Sequence, residues 1–508
     1  MKKISIMSWI DKNRENMIAL LIAAVFAFFF LLNSPIHIWR LADTTTDSSV
    51  FKTVALMMDK GYMPYKDTFD HKGPLIYVLN YWGLKISYYR GVWLFEMIFM
   101  AITLFMLYKI ARLKTKYSSS FLIVLSAMSL LFGYFEKGNF TEEYAMPFIA
   151  IGVYIFLDYL LNNRISWYRI AISGFSMGAV CMLRPNMIAV WIVFCLAIFF
   201  REILEKDWNR LGQFVLWFII GFLLIVLPFA VWLVSNGSLQ SCIEDYIFFN
   251  MRYSSEAGGR ATFSAKWNSF FTFASSTVYL IAFTGIAYHL KNKQFVNISY
   301  AIYMITTLIL LCMSGMTYGH YGMILVPVVV YPLSLIMEDV EKLPNQNIAR
   351  VLKTLITVYM MTAVIIPASI KTIKAIPAYY GSRNEAQFDE TTKKVCRAVS
   401  NITSEDESIS VYGNWNIIYV KTHRKHATQY SYQFPIGKVM PEIMDEYWEQ
   451  LSDELPPVIV VQQSHKDENI LSFLKENGYK MVWPEEITEE ELAEVETHSV
   501  FYRPQDKN

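Results

Sequence analysis

The stretch TDSSVFKTVALMMDKGYMPYKDTFDHKGPL, residues 46–75, governs how the rest of the chain is read. It follows a long apolar run, Met17 to Asn33. Asp47, Asp59, Asp67, Asp70, His71 and Lys72 lie within it among aromatic residues, and it closes on Gly73-Pro74. Acids, a histidine and a lysine beside an apolar run point to chemistry at a membrane surface.

The composition supports a membrane setting. Of 508 residues, 54% are hydrophobic, 16% aromatic and only 18% charged, against about 25% charged in soluble domains. The net charge of +1 argues neither for nor against a charged partner, and nothing in the sequence calls for nucleic acid. The cysteines, Cys181, Cys195, Cys242, Cys312 and Cys396, are odd in number and form no CxxC. They read as small apolar residues rather than a disulfide framework or metal site. The basic start MKK and the run after it read as an uncleaved span. The run is too long for a signal-peptide core, and SPIHIW offers no cleavage site.

A span needs about 20 apolar residues. Eleven stretches qualify: 17–33, 92–110, 119–135, 144–161, 170–183, 187–200, 211–234, 270–290, 298–313, 321–337 and 351–370. The fifth and sixth are joined through Arg184-Pro185-Asn186, and charge decides whether they are one span or two. Basic residues gather in short loops after alternate stretches: Arg112, Lys114 and Lys116; Arg164 and Arg169; Arg201, Lys206 and Arg210; Lys291 and Lys293; Lys342, Arg350 and Lys353. Only with two spans do all of these loops share the cytoplasmic side with the N-terminus. Residues 35–90, 136–143, 184–186, 236–268 and 315–321 then face outwards, with everything after about Ile370. Basic residues occur there too (Lys72, Lys85, Arg184, Arg252, Arg260), which an anionic ligand would explain.

From Lys371 the chain becomes charged. Ile409 to Tyr412 and Pro457 to Val461 read as buried strands. Gln387 to Val399, Pro441 to Leu451 and Glu468 to Asn477 have helical periodicity. This alternation predicts a small α/β domain. Neither GxxxxGK nor GxGxxG occurs in it, so no nucleotide site is expected.

The unusual residues fall on the predicted outer face. Asp47 starts a stretch, Ser48 to Met58, with the spacing of an amphipathic helix (Val50, Phe51, Val54, Met57, Met58) expected along the interface. The simpler reading of Asp47 is a helix cap, and of Asp67 to Pro74 a turn. Two aspartates, His71 and Lys72 together go beyond what a turn needs. Glu142 and Glu143 open the fourth span, where a helix N-terminus also favours negative charge. Arg184 and Asn186 sit between two short apolar runs, where a charge marks a pathway or site unless it snorkels. Tyr318, His320 and Tyr321 stand at the outer end of the tenth span; interfacial tyrosines are also ordinary membrane anchors. Arg252 is the weakest member. Cations at a lipid boundary suit a lipid phosphate, and a nearby carboxylate suits a base accepting a hydroxyl proton.

Taken in order, TDSSVF (46–51), PYKDTFDHKGPL (64–75), TEEYAMPF (141–148), MLRPN (182–186) and YGHY (318–321) resemble segments of the GT-C membrane glycosyltransferases. The match is particularly to bacterial relatives of the protein O-mannosyltransferases and the aminoarabinose transferase of lipid A. VYGNWNIIYVKTHRKHATQY (411–430) is similar to the extracytoplasmic domain of some members. The resemblance implies a sugar donor on polyprenyl phosphate, with undecaprenyl phosphate as the carrier. Asp47 would stand for the first-loop catalytic aspartate and Lys72 for the lysine that contacts the donor phosphate. Two departures stand out: Asp-Ser replaces Asp-Glu at the first motif, and KGP replaces KPP. Some members use a divalent metal and others do not; Asp47 with Glu142 or Glu143 would be the available ligands.

The expected protein is therefore a polytopic α-helical membrane protein, GT-C-like, with about eleven spans and a C-terminal extracytoplasmic α/β domain. The expected division is 1–372, with a large first outer loop at 35–90, and 373–508. The expected activity is sugar transfer from a polyprenyl-phosphate donor to a hydroxyl of a cell-envelope acceptor, whether glycan, teichoic acid, lipid or protein. Asp47, Asp67 and Asp70 are the catalytic candidates. Lys72, Arg184, Arg252 and His320 are assigned to the donor phosphate, and His71, Glu142, Glu143, Asn186, Tyr318 and Tyr321 to substrate. The rivals are a transporter or flippase of lipid-linked glycans and a ligase using a diphosphate donor. Polar groups gathered at one face, not at midplane, favour the enzyme.

Overall fold

A computed structural model describes residues 6–163, 166–256, 262–313, 315–367, 369–370, 373, 388–483 and 498–504. Arg164, Arg260 and Gln387 lie outside the described residues, as does most of the chain around the expected boundary at 372–373. The first nine helices are α1 (Ile6–Leu31), α2 (Thr46–Asp59), α3 (Pro74–Ile86), α4 (Gly91–Ala111), α5 (Tyr117–Tyr134), α6 (Thr141–Asn162), α7 (Trp167–Cys181), α8 (Ala189–Leu204) and α9 (Trp208–Ser235). The chain divides into two compact units. One comprises Met1–Ser34, Trp93–Phe229 and Thr262–Gly381; the other comprises Pro35–Val92, Ala230–Ala261 and Ser382–Asn508.

The first unit is helical. All eleven apolar stretches carry helix. Among the described residues, six helices are long and apolar enough to cross a membrane: Asn13–Leu31, Gly91–Ala111, Tyr117–Tyr134, Thr141–Asn162, Trp208–Ser235 and Gly319–Glu341. The stretch 270–290 is not one straight span. It belongs to Phe263–Ala274 and Thr277–Asn292, which meet at 83°. The break falls at Ser275 and Ser276, where the Ser276 side chain caps the second helix by accepting from Tyr279 N–H. α7 and α8 are separate helices, parted by a 3₁₀ turn at Pro185–Met187. Proline lacks the N–H a continuous helix needs there.

Glycines set the closest approach in this unit. A Cβ on Gly174 of α7 would collide with the Phe218 carbonyl of α9, and one on Gly221 of α9 with the Ala171 carbonyl of α7. Two backbones meet there with no room for a side chain, the close packing that small residues allow between apolar helices. Elsewhere α9 turns apolar side chains such as Leu216, Leu224 and Val231 outwards.

The second unit combines the first-loop residues with a five-stranded sheet. Its strands are β3 (Ser408–Tyr412), β4 (Lys425–His426), β5 (Val458–Val461), β6 (Lys480–Trp483) and β7 (Ser499–Tyr502), after the short antiparallel pair β1 (Ile36–His37) and β2 (Arg40–Leu41). The order is β4-β3-β5-β7-β6. β3 is parallel to β4 and β5, whereas β7 is antiparallel to β5 and β6. β5 reads VIVV and is buried throughout, as a strand covered on both faces requires. The predicted strands are present within a residue, and the predicted helices appear as Glu390–Ile402, Glu442–Glu454 and Glu468–Glu476.

α2 forms where predicted, but neither of its faces is exposed between Ser48 and Met57. Ser48 to Met57 are all buried, including Lys52 and Thr53. α3 packs against it, as does the helix Ile417–Thr422. Its polar positions are satisfied internally: Thr53 Oγ1 donates to Ser49 O at 2.9 Å and Asn416 O at 3.3 Å.

The glycine contact is testable. Gly174→Val or Gly221→Val should destabilise the detergent-solubilised protein by about 1–3 kcal/mol, the usual cost of overpacking. Gly133→Ala, where a Cβ meets nothing within 4 Å, should leave the melting temperature unchanged or slightly raised.

Candidate active site

The sequence-predicted residues fall into two groups, one in each unit.

In the second unit the 64–74 segment is folded tightly. Tyr65 adopts a left-handed φ of 69°, uncommon for a residue with a side chain. It is held by Tyr65 N–H donating to Thr68 O at 2.8 Å and Tyr65 Oη donating to Lys72 O at 2.7 Å. Asp67 Oδ2 accepts Met63 N–H at 2.7 Å, so this aspartate closes the turn. Gly73 precedes Pro74 at the first turn of α3, a position that suits proline.

Asp70 is the buried centre of the group, 2% exposed. Its Oδ2 accepts from Tyr77 Oη at 2.8 Å and its Oδ1 from Tyr432 Oη at 2.7 Å. His71 Nδ1 is 3.4 Å from Asp70 Oδ1, and Lys72 Nζ donates to His71 Nε2 at 2.7 Å. An ammonium has only donors. Nε2 is therefore bare, and the ring proton of a neutral His71 sits on Nδ1, towards Asp70. The imidazole stacks on Tyr253 at 5.9 Å between centroids. Burial pushes the Asp70 carboxyl above its ordinary range, and Lys72, Tyr432 and Tyr77 only partly offset this.

Asp47 lies in the first turn of α2 but is not its cap. Thr45 caps the helix, accepting Ser48 N–H at 3.3 Å. The Asp47 carboxylate is half-buried and makes no hydrogen bond or ion pair with the described residues. Burial, then Asp70, Asp47 and Asp245 among its neighbours, raise the Tyr432 hydroxyl. Of the three aspartates, Asp70 is the one hydrogen-bonded to this tyrosine. Arg252 is exposed and pairs with Glu442 at 2.8 Å, so its charge is already balanced.

In the helical unit, Glu142 Oε1 accepts from Arg184 Nη1 at 2.5 Å, and Oε2 accepts from Thr141 Oγ1 at 2.9 Å. The Arg184 guanidinium lies 4.1 Å from the centroid of the Tyr321 ring. Asn186 Oδ1 is buried and unpaired. Glu143 Oε2 accepts Asn139 N–H at 2.9 Å, with the Glu96 carboxyl as its neighbour. His320 is bonded to Glu136 at 2.7 Å and stacked on Phe140 and Tyr318. Among the described residues no group of three His, Cys, Asp or Glu side chains gathers as metal ligands would, and no step below uses a metal.

Sequence reading missed Asp245, Tyr77, Tyr432 and Glu96. Glu96 interrupts an apolar run, and Asp245 stands among aromatics just past a span, so the criterion that found Arg184 would have found both. The tyrosines carry no such signal.

Two solved structures from Cupriavidus metallidurans are similar over nearly the whole chain. ArnT bound to undecaprenyl phosphate aligns with a TM-score of 0.64 at 11% identity, covering 96% of this chain and 98% of that one. Apo ArnT aligns with a TM-score of 0.62 at 10% identity, with the same coverage. The oligosaccharyltransferase AglB from Archaeoglobus fulgidus, in complex with an inhibitory peptide and a dolichol-phosphate, aligns with a TM-score of 0.51 at 11% identity, covering 93% of this chain and 73% of that one. The chain shares the fold of these structures. No curated protein matches the sequence. The chain belongs to the family described as putative competence-induced protein Ccs4, N-terminal domain, which it matches over residues 9–364.

Asp245 gives a pH test. Burial, then Glu244, Asp70 and Glu446, push its carboxyl up to about 8. A carboxyl raised on folding stabilises the protein below its unfolded pKa of about 4, and that contribution is lost as pH rises towards 8. The melting temperature of the wild type should fall between pH 4 and 8, and Asp245→Asn should flatten that fall. An identical slope in both proteins would show that Asp245 does not titrate this way.

Proposed function

We propose that the protein is a membrane glycosyltransferase that moves a sugar from a polyprenyl-phosphate donor to a hydroxyl of a cell-envelope acceptor on the outer face. The observation that carries this is the half-buried Asp47 carboxylate, without a hydrogen bond or ion pair among the described residues, in the same compact unit as the Asp70–His71–Lys72 chain. The GT-C architecture supports the reaction class. The polyprenyl phosphates bound to two similar structures support the donor class. The even distribution of basic loops supports eleven spans, a cytoplasmic N-terminus and an extracytoplasmic α/β domain.

In this mechanism the acceptor oxygen attacks the anomeric carbon. The new C–O bond forms as the bond to the phosphate oxygen breaks, with inversion, and the acceptor proton passes to Asp47. The carrier phosphate leaves with the bonding pair. Lys72 spends one donor on His71 and has two left for phosphate oxygens, where they stabilise the charge that develops. Asp70 is assigned to holding His71 and Lys72 in place, because both of its oxygens are already engaged. In the helical unit Arg184 is assigned to phosphate and Glu142 to setting its orientation. Asn186, with its free amide oxygen, is assigned to a substrate hydroxyl.

Membranes supplied with a radiolabelled polyprenyl-monophosphate sugar provide the test. Asp47→Asn should lower transfer by about 10²–10⁴-fold, the usual worth of a general base. Lys72→Met should lower it by about 10²-fold or more. Equal transfer by wild type and Asp47→Asn would remove Asp47 from this role. Transfer from diphosphate donors alone would make the protein a ligase instead.

A further inference from the structure

The helical unit carries a second polar site at the ends of α4 and α6 remote from Glu142. About 24 Å of helix separates Asp158 from Glu142 along α6. There a pocket of about 380 Å³ is lined by Glu15, Asn16, Lys109, Arg112, Tyr154 and Asp158. Both carboxylates are committed. Glu15 accepts from Arg112 Nε at 2.7 Å and from Tyr108 Oη at 2.5 Å. Asp158 accepts from Arg169 Nη1 and Asn162 Nδ2, each at 2.5 Å. Among the described residues Lys109 has no such carboxylate partner: its ammonium donates to Asn16 Oδ1 at 3.0 Å and lies 5.7 Å from the Tyr154 ring centroid. Among the described side chains, two carboxylates against Lys109, Arg112 and Arg169 leave one positive charge in excess.

An apolar groove of about 250 Å³ lies against two helices that also line the polar pocket, α1 and α4. It is lined by Ala19, Ala23 and Phe26 of α1, Leu104 and Tyr108 of α4, and Val124 of α5, among others. Glu15, Ala19, Ala23 and Phe26 follow at helical spacing and share one face of α1. Tyr108 belongs to the groove by its ring and to the polar pocket by its hydroxyl on Glu15. A charged head pocket thus adjoins a tail groove.

We propose that this is a binding site for an anionic bilayer phospholipid, its phosphodiester at Lys109 and Arg112 and an acyl chain in the groove. One excess positive charge matches a diester with one negative charge. A phosphomonoester, such as a polyprenyl phosphate, brings about −1.5 to −2. The assignment is independent of the proposed reaction.

The test uses the full chain in lipid-free detergent with a photoactivatable phosphatidylglycerol. Cross-links to peptides from α1 and α4 are expected. Lys109→Gln should weaken labelling there about 5-fold, the loss of one cation beside a lipid charge, and Ala23→Leu should weaken it by filling the groove. Melting without lipid shows whether each variant is folded; if Lys109→Gln is not, Ala23→Leu and competition on the wild type decide. Labelling elsewhere, or labelling unchanged in the folded variants, overturns the site. Competition separates the other occupants. Displacement by polyprenyl phosphate at lower concentration than by phosphatidylglycerol, or by inorganic phosphate at equal concentration, overturns a bilayer lipid.

Discussion

A carboxyl taken wholly out of water must be hydrogen-bonded, since leaving it unpaired costs several kcal/mol. Asp70 meets that demand with two tyrosine hydroxyls that come from different parts of the chain. Tyr77 lies in α3, seven residues on, while Tyr432 lies in the C-terminal segment. One side chain therefore ties the first-loop turn to the sheet-bearing tail within the second unit. The positions of His71 and Lys72 follow. His71 is fixed between Asp70 and the Lys72 ammonium, and its ring is backed by Phe249 and Tyr253. This network orders the cations but leaves Asp47 outside its hydrogen bonds. A base has to be both held in place and unoccupied, and burial of α2 on all sides supplies the first condition without removing the second.

The helical unit solves a similar problem by ion pairing. Arg184 falls where the chain breaks between α7 and α8, and a lone guanidinium among apolar helices would be costly. Glu142 balances its charge, and Tyr321 covers its face. Replacing Glu142 alone would leave that charge uncompensated, so the pair is structural as well as available for chemistry. His320 differs. With Glu136 on one nitrogen and Phe140, Tyr318 and Tyr321 packed around its ring, it is held as a packed side chain beside the Arg184–Glu142 pair.

Much of this was legible in the sequence because membrane helices announce themselves locally. Runs of apolar residues gave the helical stretches, and charge among them marked Arg184, Glu142 and Glu143. The strand at 458–461 showed as an unbroken apolar run, and the one at 409–412 as apolar apart from Ser410. β6 and β7, KMVW and SVFY, were not read as strands, though each is apolar after its first residue. The break at Ser275-Ser276 was hidden in a stretch that satisfies a hydropathy window while its serines cap a new helix. The burial of the polar face of α2 was hidden for a related reason. Periodicity reports that one face is apolar, but the other face carries Ser48, Ser49, Lys52 and Thr53, which can be buried once partners such as Asn416 O are supplied from 363 residues away.

The division of labour among Asp47, Asp67 and Asp70 shows the same limit. In sequence they are three equivalent acids in one loop. One oxygen of Asp67 accepts a backbone amide four residues earlier, the simplest role for an aspartate in a turn. Asp70 has both oxygens occupied by tyrosines, which makes it a poor acceptor for a further proton donor but a good anchor. Among the described residues neither oxygen of Asp47 is hydrogen-bonded, because Thr45 takes the capping role that would otherwise fall to it. A threonine two residues earlier thus separates a helix-starting aspartate from one able to act as a base. The Asp-Ser sequence is consistent with this. Ser48 gives its backbone N–H to Thr45, so the pairing that fixes the helix start involves neither oxygen of Asp47.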